Sequence, residues 1–167
     1  MRTTTILGLT KANGLLLLFF ILAPLLIGYA GSAFTMPQIP GWYAELVKPA
    51  LNPPSFVFGP VWTTLYVLMG IAAFRVFKKR GVRPAIARTA LILYVVHLFV
   101  NLAWSLAFFA GQSPDGAVAV IAVLWAMIVS LVFLFSRIDT WAAMLLIPYL
   151  LWVSFASYLN IAIALLN

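Results

Sequence analysis

Aromatic and amide side chains recur at helical spacing within three apolar segments of this chain. The three stripes are His97, Asn101, Trp104, Ser105 and Phe108; Phe58, Trp62, Tyr66 and Gly70; and Pro148, Trp152, Ala156 and Asn160. Residues three or four apart lie on one face of a helix. If these faces converge, they enclose an apolar cavity with few polar donors, which suits a large planar ligand. Spacing alone leaves ordinary helix packing as an alternative, because asparagine also links membrane helices by hydrogen bonds.

The residue types of this chain do not favour acid–base catalysis or metal binding. The acidic residues are Glu45, Asp115 and Asp139, and all three lie between apolar segments, so no paired carboxylates or triad are available. The chain has no cysteine, which excludes thiolate sites. His97 is the single histidine; it could ligate haem or carry a proton, but an interior hydrogen bond or a place in the cavity wall is favoured. We predict no metal site and no cofactor.

The elements that must position these side chains are membrane-spanning helices. The chain is 65% hydrophobic and 8% charged, whereas a soluble domain has about 25% charged residues. Five apolar blocks approach the ~20 residues that a bilayer helix needs, at about 14–36, 55–77, 89–110, 116–136 and 141–166. An alternating strand pattern is absent. The sequence therefore predicts one all-α domain over 1–167, a five-transmembrane-helix bundle whose last three spans are antiparallel neighbours.

Helix starts and charges refine this prediction. Helix-starting residues precede three spans, at Asn52-Pro53, Ser113-Pro114-Asp115 and Asp139-Thr140. Nine basic residues fall on the N-terminal side of the five spans: Arg2, Lys11, Arg75, Lys78, Lys79, Arg80, Arg83, Arg88 and Arg137. Only Lys48 falls on the other side, so the positive-inside rule predicts a cytoplasmic N-terminus in a multi-pass membrane protein. The rule also explains the basic run at 78–80 without nucleic acid; weak contact with anionic lipids of the bilayer is expected instead.

The long connection between the first two spans carries a recognisable series of residues. Its series is Trp42-Tyr43, Leu46, Lys48-Pro49, Pro53-Pro54, Val57-Phe58 and Val61-Trp62, followed by Leu65-Tyr66. This series resembles the signature of the tryptophan-rich sensory protein and translocator protein family, also called the peripheral-type benzodiazepine receptor family. Asn101-x-x-Trp104-Ser105 and Pro148-Tyr149-x-x-Trp152 are similar to its third-span and fifth-span motifs. Long loops with apolar anchors are often lids.

The resemblance implies a bacterial member, placed in the cell membrane, with a pocket beneath a lid-like first loop. It implies binding of porphyrins, such as protoporphyrin IX or other haem-pathway intermediates, for sensing or transport. Two alternatives stay open: a light- or oxygen-dependent porphyrin-degrading enzyme that uses Trp62 and Trp152 as redox-active indoles, and an assembly protein without a small ligand. The expected ligand-binding residues are Trp42, Tyr43, Lys48, Pro49, Trp62, Tyr66, His97, Asn101, Trp104, Tyr149, Trp152 and Ala156.

Two further features bear on partners. Lys48 is the one basic side chain on the side of the first loop, and we expect it to attract the propionates of a porphyrin. Gly28-x-x-x-Ser32 permits close helix contact, either in a homodimer or within one chain. Vertebrate members of the family carry a cholesterol-recognition pattern that needs a basic residue after a central tyrosine. No basic residue follows Tyr158, so cholesterol is not expected as the natural ligand.

Overall fold

A computed structural model describes residues 11–167. The helices are α1 (Lys11–Thr35), α2 (Trp42–Glu45), α3 (Phe58–Lys78), α4 (Pro84–Ser105), α5 (Pro114–Ser136) and α6 (Thr140–Leu166). All but the short α2 are long and apolar enough to cross a membrane. The described residues contain no strand. The predicted all-α, five-helix membrane fold is thereby confirmed.

The helix boundaries follow local sequence signals, with one exception. Ser113 Oγ accepts a hydrogen bond from Gly116 N–H at 3.1 Å, so this side chain caps α5 as predicted. Asn52, by contrast, does not cap the second span: its Oδ1 accepts a hydrogen bond from the Tyr43 hydroxyl at 3.0 Å. The helical turn instead begins after Pro54, without a side-chain cap. The third span starts at Pro84 rather than near 89, because the helix continues past Arg88 beyond the N-terminal limit of the apolar block.

The long helices form a closed ring in which α1 lies beside α3 and α4, while α6 lies between α3 and α5, and α5 contacts α4. The antiparallel arrangement expected for the last three spans is present. Gly70 permits the close approach of α1 and α3, since a Cβ atom there would lie 2.5 Å from the carbonyl oxygen of Phe20. A methyl group at this position would force the two backbones apart.

The two ends of the bundle differ in packing. At the end where α3 finishes, the interior is filled by completely buried side chains such as Met69, Val76, Ile128 and Phe135. At the opposite end the helices leave an open space between them. The first loop, residues 36–57, covers that end and contains a 3-10 turn (Met36–Gln38) before α2. The fold therefore combines a solid half with a hollow half beneath a long loop.

The filled end also carries most of the charge, and we call it the basic end. Asp139 lies there, 3% exposed; its Oδ2 is 3.0 Å from Arg75 Nη2 and 2.9 Å from Lys79 Nζ. Its Oδ1 accepts hydrogen bonds from Trp141 N–H and Ala142 N–H, which caps α6 as predicted. Burial acts to raise the pKa of Asp139, but the bonds from Lys79, Arg75 and Ala142 outweigh it and hold the pKa below its ordinary value.

The distribution of basic residues across the bundle agrees with the two-sided pattern in the sequence. Lys78 Nζ donates to Asn13 Oδ1 at 2.7 Å, so the start of α1 and the end of α3 meet at the basic end. Within the described residues, Lys48 alone among the basic side chains lies at the opposite end. Arg2 lies outside the described residues. Which end faces the cytoplasm stays a prediction.

Candidate functional site

A cavity of about 450 Å³ occupies the hollow half of the bundle beneath the first loop. This volume lies within the range of about 300–1,000 Å³ that is typical of small-molecule sites. Along α3 it extends from Phe58 to Tyr66, a depth of ~12 Å at the rise of an α-helix. Helices α1, α3, α4 and α6 form its walls, and α5 contributes none of the lining side chains.

Aromatic rings from α3 and α6 form one wall. Trp62 stacks on Tyr66 with 5.6 Å between ring centroids, and Phe58 meets Trp152 edge-on at 5.9 Å. Because the three α3 residues are four apart, each turn of the helix adds one ring to this wall. Ala156 lies one turn beyond Trp152, where its small side chain leaves space. The wall therefore combines the stacked rings of Trp62 and Tyr66 with an edge-on pair of Phe58 and Trp152.

The floor of the cavity is polar. Asn101 is 3% exposed; its Oδ1 accepts a hydrogen bond from the Tyr66 hydroxyl at 2.8 Å. Its Nδ2 donates to the Tyr149 hydroxyl at 3.2 Å. Tyr149 contacts Trp62 on the side away from the cavity, with 6.2 Å between their ring centroids. This chain of bonds links three helices and fixes the orientation of the aromatic wall above it.

The α4 wall depends on a local widening of the helix. After Ser105 the chain forms a π-helical turn, Leu106–Ala110, which buries the consecutive residues Phe108 and Phe109 together. Such turns often occur at functional sites. Trp104 stacks on Phe108 at 5.4 Å, and its indole N–H donates to Asn160 Oδ1 at 2.9 Å. The α4 stripe is thereby held against α6.

One polar atom of the cavity has no partner. The indole nitrogen of Trp152 is buried and makes no hydrogen bond to any described residue. A buried donor without a partner costs about 1–3 kcal/mol. The ring of Trp152 lines the cavity, and because the nitrogen itself has almost no exposed surface, an acceptor on a bound molecule would reach this N–H group after a small shift of the ring.

The first loop closes the cavity through Tyr43. Its ring packs on Phe108 and Phe109, at 6.3 and 5.7 Å between centroids. Burial raises the pKa of Tyr43, and the hydrogen bond to Asn52 opposes this increase only in part. Asn167, which follows α6, holds the loop from the other side: its side chain accepts from Val47 N–H and donates to Val47 C=O. The loop is therefore anchored both to α4 and to the end of α6.

Helix α1 supplies a wall that the aromatic stripes did not predict. Gly28, Gly31 and Ser32 all line the cavity. A Cβ atom at Gly28 would lie 2.2 Å from Cε2 of Tyr66, so only glycine allows the ring to occupy its place. Gly28 therefore serves a close contact within the chain. The small residues of Gly28-x-x-x-Ser32 were visible in the sequence, but nothing there showed which helix they face.

The structure brings seven of the twelve expected site residues into the lining of this cavity, namely Tyr43, Trp62, Tyr66, Asn101, Trp104, Trp152 and Ala156. Trp42, Lys48, Pro49, His97 and Tyr149 do not line it. Trp42 instead packs edge-on against Phe108 at 5.7 Å, so it supports the wall from outside. Tyr149 supports Trp62 and Asn101, as described above. Pro148, which begins the α6 stripe, is exposed.

Lys48 has different partners from those expected, whereas His97 makes the interior hydrogen bond that was favoured from the sequence. Lys48 Nζ donates to the carbonyl oxygens of Ala44 and Leu46, and lies 4.8 Å from the centroid of the Tyr43 ring. His97 is completely buried behind Tyr149, with 5.8 Å between their rings, and its Nδ1 bonds the carbonyl oxygen of Tyr94. Because a carbonyl only accepts, Nδ1 carries the proton. Lys48 thus stabilises the loop, and His97 belongs to the packed interior.

Comparison with known proteins agrees with the helical architecture and the loop signature. The TspO/MBR family model matches residues 20–166. The chain belongs to the TspO/MBR family. It is 43% identical over 143 residues to the tryptophan-rich protein TspO of Chlorobaculum tepidum, a match that covers 86% of this chain and 90% of that relative.

More distant relatives of this TspO/MBR protein include a sensory protein and a translocator. It is 39% identical over 126 residues to the tryptophan-rich sensory protein of Cereibacter sphaeroides, covering 75% of this chain and 77% of that one. It is 36% identical over 141 residues to the human translocator protein, covering 84% and 83%. The family match includes all four cavity walls and the first loop, and it establishes an integral, multi-pass membrane protein.

Proposed function

We propose that this TspO/MBR protein binds a porphyrin, such as protoporphyrin IX, or a similar planar apolar molecule in the cavity, for sensing or transport across the membrane. The observation that carries the proposal is the unpartnered indole N–H of Trp152 in an aromatic wall. The wall offers stacking surface, while the N–H group offers one directed hydrogen bond. A planar ligand with an acceptor at its edge uses both.

The rest of the cavity supports the same class of ligand. Trp62 and Tyr66 present a stacked pair of rings on α3, and Trp104 with Phe108 presents another on α4. A flat molecule between such surfaces gains dispersion and removes apolar area from water, at about 25 cal/mol per Å². The Asn101 amide at the floor adds a polar contact. The names of the relatives, a sensory protein and a translocator, fit a binding role.

A titration of the purified protein with protoporphyrin IX, followed by absorption and tryptophan fluorescence, tests the proposal. Trp62→Ala and Trp152→Ala should each weaken binding by ~1–3 kcal/mol, the range for loss of one stacking aromatic. Trp152→Phe keeps a smaller aromatic ring and removes the N–H, so it should lose less than Trp152→Ala, about fivefold to tenfold, which is close to the worth of one net hydrogen bond. These variants separate stacking from hydrogen bonding.

Trp125→Phe is the matched control. Its indole N–H donates to Ser154 Oγ at 2.8 Å on the outer surface of the bundle, where Trp125 is 42% exposed. The substitution therefore removes one indole hydrogen bond without touching the cavity, and porphyrin affinity should not change. Equal losses for Trp125→Phe and Trp152→Phe would show a general effect on stability. Absence of saturable binding in the wild type would favour the assembly protein instead.

A porphyrin-degrading activity is the second candidate, and one arrangement favours it. Trp62 touches Tyr66 and Tyr149 at 5.6 and 6.2 Å between ring centroids, so three oxidisable rings are in contact at the cavity floor. An excited porphyrin with molecular oxygen could use such rings as electron donors. Loss of porphyrin absorbance under light in air, with a new product that Trp62→Phe abolishes, would establish the activity. An unchanged spectrum after illumination would leave binding as the function.

A further inference from the structure

A second concavity lies on the outer surface of the bundle, at the basic end. It is a groove of about 770 Å³ beneath the turn that joins α3 to α4. Two arginines, Arg80 and Arg88, lie at its upper part. Below them the lining is wholly aliphatic, from Leu91, Ile92, Val95 and Val96. None of these residues contributes to the cavity beneath the first loop.

The groove has the length of one membrane leaflet. Its α4 residues, from Pro84 to Val96, are spaced by three or four and form a straight stripe on one helical face. Twelve residues of α-helix extend ~18 Å, while the hydrocarbon of one leaflet is ~15 Å thick. Ile92, Val95 and Val96 are 55%, 50% and 47% exposed, so this stripe is open to the bilayer. A single acyl chain can therefore lie along it from the headgroup region toward the midplane.

The charge at the upper part of the groove is not neutralised by the protein. Asp139, the acidic residue of the basic end, is held by Arg75 and Lys79. Glu45 and Asp115 lie at the opposite end, near the first loop. Within residues 11–167, Arg80 and Arg88 consequently form no salt bridge. Two guanidinium groups above an aliphatic groove match a phosphate above an acyl chain.

Arg80 is also held in position by its own turn. Its Nη1 donates to the carbonyl oxygen of Phe77 at 2.8 Å, and its Cζ lies 4.0 Å from the centroid of the Phe77 ring. These two contacts fix the guanidinium but use only one of its five donors. The remaining donors are available to an oxygen acceptor. A preorganised arginine loses less conformational entropy when it binds a phosphate.

We propose that this groove binds one anionic phospholipid, with its phosphate between Arg80 and Arg88 and one acyl chain along Leu91, Ile92, Val95 and Val96. The site should prefer phosphatidylglycerol to phosphatidylcholine. Both lipids carry a phosphate, but the choline headgroup adds a positive charge that the surrounding basic residues repel. The bound lipid would cover the outer face of α4 at the level of the basic end.

Native mass spectrometry of the full chain, delipidated in detergent and then given equal amounts of the two lipids, tests this site. The wild type should retain one phosphatidylglycerol in preference to phosphatidylcholine. Neutralising each arginine should reduce that preference about fivefold, so the double variant Arg80→Gln/Arg88→Gln should lose about 25-fold. The control pair Arg83→Gln/Arg137→Gln removes the same charge at the same end, outside the groove, and should change the preference less than twofold.

Three results would overturn the proposal. Equal losses in the two double variants would show that lipid preference follows net charge rather than a site. Displacement of the lipid by inorganic phosphate or glycerol phosphate at millimolar concentration would show that the acyl groove contributes nothing. A wild type that retains both lipids equally would show no selectivity. Thermal unfolding of the Arg80→Gln/Arg88→Gln protein, expected to match that of the control pair, excludes a folding defect as the cause.

Discussion

The charged cluster at Asp139 gives the most quantitative prediction. The substitution Asp139→Asn keeps an oxygen that can cap α6 through Trp141 N–H and Ala142 N–H, but removes the negative charge that holds Arg75 and Lys79. A hydrogen bond to a charged group contributes about 1.5–3 kcal/mol when protected. Arg75 and Lys79 are 37% and 49% exposed at their side chains, so solvent screening reduces each contact to about 1 kcal/mol. We expect a loss of about 2 kcal/mol.

Reversible unfolding in mixed micelles of increasing SDS content measures this loss. Asp115→Asn is the matched control, because Asp115 is exposed in the first turn of α5 and interacts mainly with the helix dipole. That effect is worth about 0.3–1 kcal/mol. The Asp139 variant should therefore unfold at a clearly lower SDS fraction than the Asp115 variant.

The pH dependence follows from the direction of the pKa shift. The pKa of Asp139 is lower in the folded protein than its ordinary value of about 3.9. The carboxylate thus contributes its full stability above that ordinary value, and the contribution disappears as the pH falls through the lowered pKa. The difference between wild type and Asp139→Asn should be constant from pH 7 to about pH 5 and vanish in strong acid. An equal unfolding midpoint at pH 7, or a difference that grows in acid, would refute this reasoning.

Three further predictions concern topology, the first loop and the cavity. Reporter fusions after residue 82 and at the C-terminus should report opposite sides of the membrane; the same side for both would contradict the odd number of spans. Because the Lys48 ammonium is bound to carbonyl oxygens of its own loop, Lys48→Gln should weaken the binding of protoporphyrin and of its neutral diester equally, and should increase hydrogen exchange in the loop. A loss of affinity for the diacid alone would place the ammonium at the ligand. Gly28→Ala should destabilise the protein by about 1–3 kcal/mol, because the added methyl group displaces Tyr66. Gly14→Ala on the same helix is the control: nothing lies within 4 Å of the added atom, so it should stabilise the protein by up to ~1 kcal/mol. Equal denaturation midpoints for the two variants would disprove the steric argument.

The sequence alone was sufficient to predict the membrane fold, because the length of an apolar block and the residues at its ends are local properties. Five blocks near 20 residues gave five spans, and Ser113 and Asp139 cap their helices as predicted. The periodicity of α3 and α6 also identified the aromatic wall, since residues four apart must share a face. The prediction that Asn52 caps a helix was wrong. The residue type alone does not show that the Tyr43 hydroxyl, nine residues earlier, donates its hydrogen bond to the Asn52 side chain.

Residue contacts between helices were decided by the tertiary structure. Periodicity defines a face but not the helix opposite it, so the α1 wall around Gly28 could not be predicted from small residues alone. The expected position of Lys48 at the ligand rested on charge, yet its ammonium bonds carbonyl oxygens nearby in its own loop. Asp139 was recognised as a helix cap, but its ion pair with Arg75 joins residues 64 apart in the sequence. Such contacts depend on how the five helices close into a ring, and this packing is a property of all the helices together rather than of any one segment.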